Sequence, residues 1–273
     1  MMVKELLIIS LFLLSFTMFG KERKKAVVDS TKVLNVTPRS VENRAFKKGE
    51  FLHFTVSYGV ITAGYATISI DRTEYIKGRD CYVLKTTAKS RSAFDWIFKV
   101  RDQTESFLDI ERFHSHKFTK RLREGSYKID SELNFFQENG VARYRSKRYK
   151  KGKIKKKYRI IDIPYNTLDP LSALFYVRVM DLKVGETIFL PAVGTRKSYN
   201  IKVIVHKRET VKVGAGKFDC FVVEPVMADG GVFKKDGRVK VWLTADERKM
   251  PVKMSTKVYI GSIEAELDWY EEE

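Results

Sequence analysis

Side chains suited to covalent or metal chemistry are sparse in this chain: two cysteines, Cys81 and Cys220, and four histidines, His53, His114, His116 and His206. His114-Ser115-His116 puts two imidazoles on one face of an extended segment, because side chains alternate along a strand, and His53 is a possible third ligand. Zinc takes three or four such ligands. No cysteine or carboxylate at a ligand spacing completes the set, so the histidines read as packing or surface groups and no metal is expected. Gly214-Ala215-Gly216-Lys217 lacks the spacing and the following helix of a phosphate loop and reads as a turn between strands. Neither a Gly-x-Ser-x-Gly elbow nor a His-Glu-x-x-His helix occurs. The carboxylate pairs Asp109/Glu111 and Asp246/Glu247 stand beside Arg112 and Arg248 and read as solvated turns. The expectation is therefore a non-catalytic protein without a cofactor, with an unrecognised enzyme as an alternative. Cys81 and Cys220 are expected to be two separate buried thiols; a disulfide would need their α-carbons within about 7 Å.

Charge is the stronger signal. Fifty-two Lys and Arg against 34 Asp and Glu leave a net charge of +18, which favours anionic partners. Eleven basic residues and no acidic one fall between Val141 and Ile160. Turns at Glu138-Asn139-Gly140 and Lys150-Lys151-Gly152-Lys153 make this segment a hairpin. Extended arms put Arg143, Arg145 and Lys147 on one face, and likewise Lys155, Lys157 and Arg159, opposite Tyr144, Ser146, Ile154, Tyr158 and Ile160. A single cationic strip over a partly apolar back is the expected result. It serves either as a sheet edge whose lysines block edge-to-edge pairing, or as a site for the anionic headgroup of a lipid or glycan, where each cation contributes about 1 kcal/mol near a charged membrane.

The elements that position these groups begin after residue 20. Residues 1–20, MMVKELLIISLFLLSFTMFG, have the layout of a signal peptide: Lys4, an apolar run from Leu6 to Phe19, then a basic stretch. The run is shorter than the roughly 20 residues of a spanning helix. The expectation is cleavage and export, with a retained N-terminal membrane anchor as the alternative, and export discounts nucleic acid as the partner. Residues 21–48 read as a linker. Downstream, Gly49-Glu50 recurs as Gly185-Glu186, Asp80-Cys81 as Asp219-Cys220, Glu111-Arg112 as Glu247-Arg248, Gly125-Ser126 as Gly261-Ser262, and Glu132-Leu133 as Glu266-Leu267. Offsets of 134 to 139 in constant order mark 49–138 and 185–272 as two repeats of one unit within a single domain, 49–273.

Each repeat alternates apolar and polar residues, as in Leu52, Phe54, Val56 and Tyr58, or Val252, Met254, Thr256 and Val258. Half-buried strands of this kind build antiparallel meanders. The expected fold is mainly β: a duplicated antiparallel meander forming a large curved sheet or open barrel. The joining segment, 139–184, adds the basic hairpin and then a helix, opened by Asp169 as N-cap and Pro170 at the first helical position. Leu171, Leu174, Phe175 and Leu182 form one stripe of that helix, and Ala173, Tyr176, Val177 and Met180 make most of the rest apolar. It must be buried, either plugging the core or lining an apolar groove with Leu174, Phe175 and Tyr176. A nearly all-apolar helix needing a dry home, with strands lacking long uncharged outward bands, argues against an outer-membrane barrel. Ser92 to Phe98 is apolar for a connection; it either caps the core or forms a membrane lip through Phe94, Trp96 and Phe98.

Asp169-Pro170-Leu171-Ser172-Ala173-Leu174-Phe175-Tyr176-Val177-Arg178, with Gly49-Glu50-Phe51-Leu52 leading into Tyr58-Gly59-Val60-Ile61-Thr62-Ala63-Gly64, and Val241-Trp242-Leu243-Thr244-Ala245-Asp246-Glu247-Arg248 before Pro251-Val252, resembles the bacterial domain-of-unknown-function 3108 family over nearly everything after residue 45. The resemblance implies an exported, periplasmic, β-rich protein and supplies no catalytic residues. The combined expectation is a non-catalytic envelope protein that binds an apolar or amphiphilic anionic ligand such as a lipid or glycolipid, with the membrane surface as a further partner. The alternative is a surface module for an anionic cell-wall polymer.

Overall fold

The computed structural model describes residues 39–227, 239–257 and 261–272. The expected export segment, residues 21–38 of the linker and Val258 lie outside them. The alternating segments become fourteen strands: β1 Phe51–Tyr58, β2 Ile61–Ile76, β3 Arg79–Ser90, β4 Arg101–Asp109, β5 Ser115–Glu124, β6 Tyr127–Phe136, β7 Val141–Lys150, β8 Lys153–Asp162, β9 Thr187–Val193, β10 Ser198–Val213, β11 Gly216–Met227, β12 Val239–Thr244, β13 Pro251–Lys257 and β14 Ser262–Glu271. Two short helices accompany them, α1 Asp95–Phe98 and α2 Pro170–Arg178.

All fourteen strands form one antiparallel sheet in the order β8-β7-β6-β5-β4-β3-β2-β1-β14-β13-β12-β11-β10-β9. The chain enters mid-sheet at β1, meanders to the β8 edge, crosses through α2 to the β9 edge, and meanders back until β14 pairs with β1. The sheet wraps around the helix. Asp169 bonds to Ser106 on β4 and Ser115 on β5, while the adjacent Leu168 bridges Ala192 on β9, at the opposite end of the strand order. Edges β8 and β9 are not joined to each other, so the barrel stays open.

Alternation decides which way each side chain points. Leu52, Phe54 and Val56 on β1 and Ile263, Ala265 and Leu267 on β14 are buried in the concave core. The carboxylate of Asp169 caps α2 by accepting from the N–H groups of Leu171 and Ser172 at 2.9 and 3.0 Å, satisfying two of the donors a helix start leaves free. The helix ends at Arg178, short of the stripe expected through Leu182, although Leu182 is buried all the same.

The β1–β2, β3–β4, β5–β6, β7–β8 and β9–β10 connections gather at one end of the sheet, the hairpin end. The opposite end is closed by residues 39–50, the C-terminus of α2 and the turn after β12, held by a fully buried Arg178. Strands of residues 49–138 and 185–272 follow one order, and three of the six pairs match in length: β2 and β10 are each 16 residues, β3 and β11 each 12, β6 and β14 each 10. Bulges interrupt β2 after Ile70 and β10 after Val205. Gly49 N–H donates to the Ile70 carbonyl at 2.9 Å as Gly185 N–H does to that of Val205 at 2.8 Å.

Candidate functional site

The concave side is packed. Phe175 is fully buried and stacks edge-on against Phe46 with centroids 4.8 Å apart. Tyr176 is buried beneath the Arg39 guanidinium, and Leu174 is half-buried against the same core. These three residues therefore plug the barrel, which corrects the expectation of an open apolar groove. The crevice left beside the start of α2, between Phe118, Lys120, Leu133, Tyr144, Pro170 and Val193, measures about 20 Å³, room for about one water. An acyl chain has no place there.

The interior also holds charge that alternation alone did not suggest. Asp102, Lys120 and Glu124 point inward and are buried. Burial pushes the Lys120 amine down to about 8, and its Nζ makes no hydrogen bond. Burial, followed by the neighbouring Asp102 carboxylate, pushes Glu124 up to about 8.

The basic hairpin forms with the expected turns, but its register splits the expected strip. Arg143 pairs with Ile160, Arg145 with Tyr158, Lys147 with Lys156 and Tyr149 with Ile154. Directly paired residues share a face, so Arg143, Arg145 and Lys147 lie on the convex side. Lys155, Lys157 and Arg159 lie on the concave side, paired with Arg148, Ser146 and Tyr144. The two triplets are on opposite faces because the turn brings odd positions of β7 opposite even positions of β8. Like charges also meet across strands, in Lys147/Lys156, Arg148/Lys155 and Lys150/Lys153. Among the described residues none of the hairpin's eleven cations makes an ion pair within 4.0 Å. Elsewhere such pairs abound, as in Arg79–Asp109, Arg101–Asp95, Arg123–Asp130 and Lys253–Glu266.

Register extends the convex half of the hairpin into a band. One cross-strand row runs Thr87, Gln103, Arg121, Asp130, Lys147, Lys156. The row nearer the hairpin end runs Tyr65, Lys89, Arg101, then Arg123, Lys128, Tyr149, Ile154. The two rows hold seven cations and one carboxylate, Asp130. Lys89, Arg121, Lys128, Lys147 and Lys156 are exposed. The next row away from the hairpin end is balanced in charge, with two cations and two carboxylates: Lys85, Glu105, Thr119, Glu132, Arg145, Tyr158. Of the six anticipated headgroup residues only Lys147 belongs to the band. Arg143 lies over the Phe136 ring at 4.6 Å, and Arg159 donates to the Thr195 carbonyl across the open seam at 3.0 Å.

The apolar connection at the hairpin end divides as well. Phe98 is buried against Ala88 and Val100, Phe94 is half-buried, and Trp96 is 83% exposed. Of the proposed lip, Trp96 alone projects fully; Phe98 caps the core. The neighbouring β1–β2 turn adds the exposed Val60 and Ile61.

His114 and His116 meet Asp109 rather than His53, which stacks on Trp269. Ligating atoms of the three lie within 4.8 Å of one another. Asp109 is fully buried, not a solvated turn residue. Its oxygens already accept from Arg79 at 2.9 and 3.1 Å, from His116 at 2.9 Å, and from the N–H groups of Glu111 and Arg112. Hydrogen bonds from His116, Arg79 and the Arg112 backbone overcome burial and hold its carboxyl well below the usual range. Burial lowers His114 to about 4, leaving it neutral. With both oxygens engaged by a guanidinium, the cluster fits a buried ion-pair strut better than a cation site. Cys81 and Cys220 are both buried and free, on strands separated by five others; burial pushes each thiol up to about 12.

Residues 53–268 match the model of a family described as "Protein of unknown function (DUF3108)". Curated protein sequences yield no match. Among solved structures, the fold is similar to a β-barrel-like protein of domain of unknown function DUF1849 from Brucella abortus, with a TM-score of 0.52 at 11% identity over 87% of this chain and 100% of that one. A structure from Bacteroides fragilis, described as an exported protein with a YmcC-like fold, matches at a TM-score of 0.38 and 11% identity over 86% of this chain and 100% of that one.

Proposed function

We propose, for a chain that belongs to the DUF3108 family, that it is an exported, non-catalytic envelope protein that docks on an anionic lipid surface through the convex cationic band at its hairpin end. The observation that carries this reading is that five of the band's seven cations, Lys89, Arg121, Lys128, Lys147 and Lys156, are exposed and make no ion pair among the described residues, while Arg101 and Arg123 are paired. Opposed like charges destabilise a strand pair by a few tenths to about 1 kcal/mol, and the band places Lys147 directly against Lys156 with no carboxylate between them. A negatively charged partner offsets that repulsion. Five exposed band cations at about 1 kcal/mol each near an anionic membrane would support reversible association. Exposed Tyr65, Ile154 and Trp96 border the cations, which suits a lipid interface better than a bare polymer. The filled interior supports surface docking over transport of a lipid inside the barrel. The matched strand lengths and bulges further support reading 49–138 and 185–272 as copies of one unit.

Co-sedimentation of the mature protein with phosphatidylglycerol vesicles, phosphatidylcholine vesicles and purified anionic wall polymer tests the reading. Binding to the anionic vesicles alone, weakening steeply as salt rises, is expected. Binding to wall polymer in preference to vesicles would transfer the role to a polymer-binding module.

A further inference from the structure

Within the band, the sheet surface over β3, β4 and β5 holds an open, shallow cleft, lined on its outer side by Thr87, Lys89, Arg101, Gln103, Arg121 and Arg123. We propose that this cleft is a discrete site for the phosphate group of a single lipid headgroup, a reading that rests on the membrane-docking role above and gives it a specific ligand.

The four cations differ in freedom. Arg101 is locked by Asp95 at 2.6 Å and the Val100 carbonyl at 2.6 Å. Arg123 is locked by Asp130 at 2.6 Å and the Leu122 carbonyl at 2.8 Å. Lys89 and Arg121 are exposed and make no ion pair among the described residues. Asp102 contributes to the floor, but its carboxylate is turned to the interior, where it accepts from the Arg123 N–H at 2.6 Å and meets Glu124. The outer wall thus offers two guanidinium groups fixed and neutralised by Asp95 and Asp130, and between them two unspent cations, Arg121 as a planar fork and Lys89 as a point charge. That combination matches the oxygens of a phosphate.

A lipid rather than free phosphate is indicated by what the locking holds in place. The Asp95–Arg101 pair fixes α1 at the cleft, and α1 projects Trp96. The β1–β2 turn beside it, joined through the Arg91 N–H to the Ala63 carbonyl at 3.0 Å, exposes Val60 and Ile61. An aromatic ring and two aliphatic side chains next to a phosphate cleft suit the boundary between headgroup and acyl chain.

Isothermal titration with short-chain dioctanoyl phosphatidate, and separately with inorganic phosphate, at fixed ionic strength tests the assignment. Saturable one-to-one binding of the lipid is expected, tighter than that of phosphate. Arg121→Ser and Lys89→Ser should each weaken it about tenfold, the loss of one charge-assisted contact. The Lys147→Ser/Lys156→Ser protein should stay within about twofold, because those positions lie outside the cleft. Absent saturation, equal loss in all variants, or equal affinity for inorganic phosphate would overturn the proposal. Vesicle binding without titratable short-chain lipid would sink the cleft and leave the docking role standing; the reverse pattern would sink the docking role.

Discussion

Removing the charge of Glu50 should cost more stability than any surface change in this protein. Arg178 is fully buried and donates from Nη1 and Nη2 to Glu50 at 2.6 Å each, from Nη2 to the Ala45 carbonyl and from Nε to the Arg248 carbonyl at 3.1 Å. It lies 5.1 and 5.0 Å from the ring centres of Phe46 and Phe175. One side chain thereby ties the entry segment, the end of α2 and the turn after β12. Glu50→Gln keeps the shape and leaves the guanidinium without its counter-charge, which costs about 3 to 5 kcal/mol when a buried pair is broken. With a urea m-value of about 3 kcal/mol/M for a chain of this size, the midpoint should fall by about 1 M. Replacing both partners, Glu50→Leu with Arg178→Met, removes both buried charges and leaves two carbonyls without a donor, so the double variant should lose clearly less than the sum of the single losses. Urea unfolding followed by circular dichroism compares the unchanged protein, Glu50→Gln, the single variants Glu50→Leu and Arg178→Met, and their double variant. A midpoint shift under about 0.2 M for Glu50→Gln, or simple additivity in the double variant, would refute the view that this pair acts as a single buried strut.

Three further outcomes follow from particular residues. Folded Glu124 keeps its proton up to about pH 8, whereas the unfolded chain releases it near 4.3. The folded state therefore binds more protons between those values and loses stability as pH rises through them; Glu124→Gln should flatten that slope in unfolding curves at pH 5, 6.5 and 8, and an unchanged slope contradicts the assignment. Trp96→Ser should weaken phosphatidylglycerol-vesicle binding while leaving the melting temperature unchanged, because the ring is 83% exposed; Phe98→Ala should instead cost about 3 kcal/mol of unfolding free energy. Thiol titration of unfolded, unreduced protein should find two free groups, from Cys81 and Cys220; finding none would mean that the native chain pairs them.

Much of the architecture is legible in residue alternation, because in a half-buried sheet the period of two decides which side chains enter the core. Leu52, Phe54 and Val56, or Ile263, Ala265 and Leu267, announce both the strands and their buried face. Asp169-Pro170 announces a helix start by capping chemistry. What sequence could not supply is register between strands. Arg143 and Lys155 look alike along the chain, yet a two-residue turn at Lys151-Gly152 sends them to opposite faces. Arg121, Lys128 and Lys89 are scattered singly in sequence and become neighbours only through three strand pairings. Asp109 reads as a turn carboxylate because its partner Arg79 is thirty residues away. The inward Lys120 and Glu124 break the apolar pattern at the point where the interior is polar, with Thr86, Thr104 and Ser106 as neighbours on the same side.

The most direct test of the docking account removes equal charge from the two sides of the sheet. Arg121→Ser/Lys147→Ser/Lys156→Ser strips three cations from the convex band, and Lys155→Ser/Lys157→Ser/Arg159→Ser strips three from the concave side of β8. Affinity for phosphatidylglycerol vesicles at physiological salt should fall about a hundredfold in the first protein, three contacts at about 1 kcal/mol each, and only a few-fold in the second. Equal losses would show that net charge alone drives binding and would contradict the band as a site.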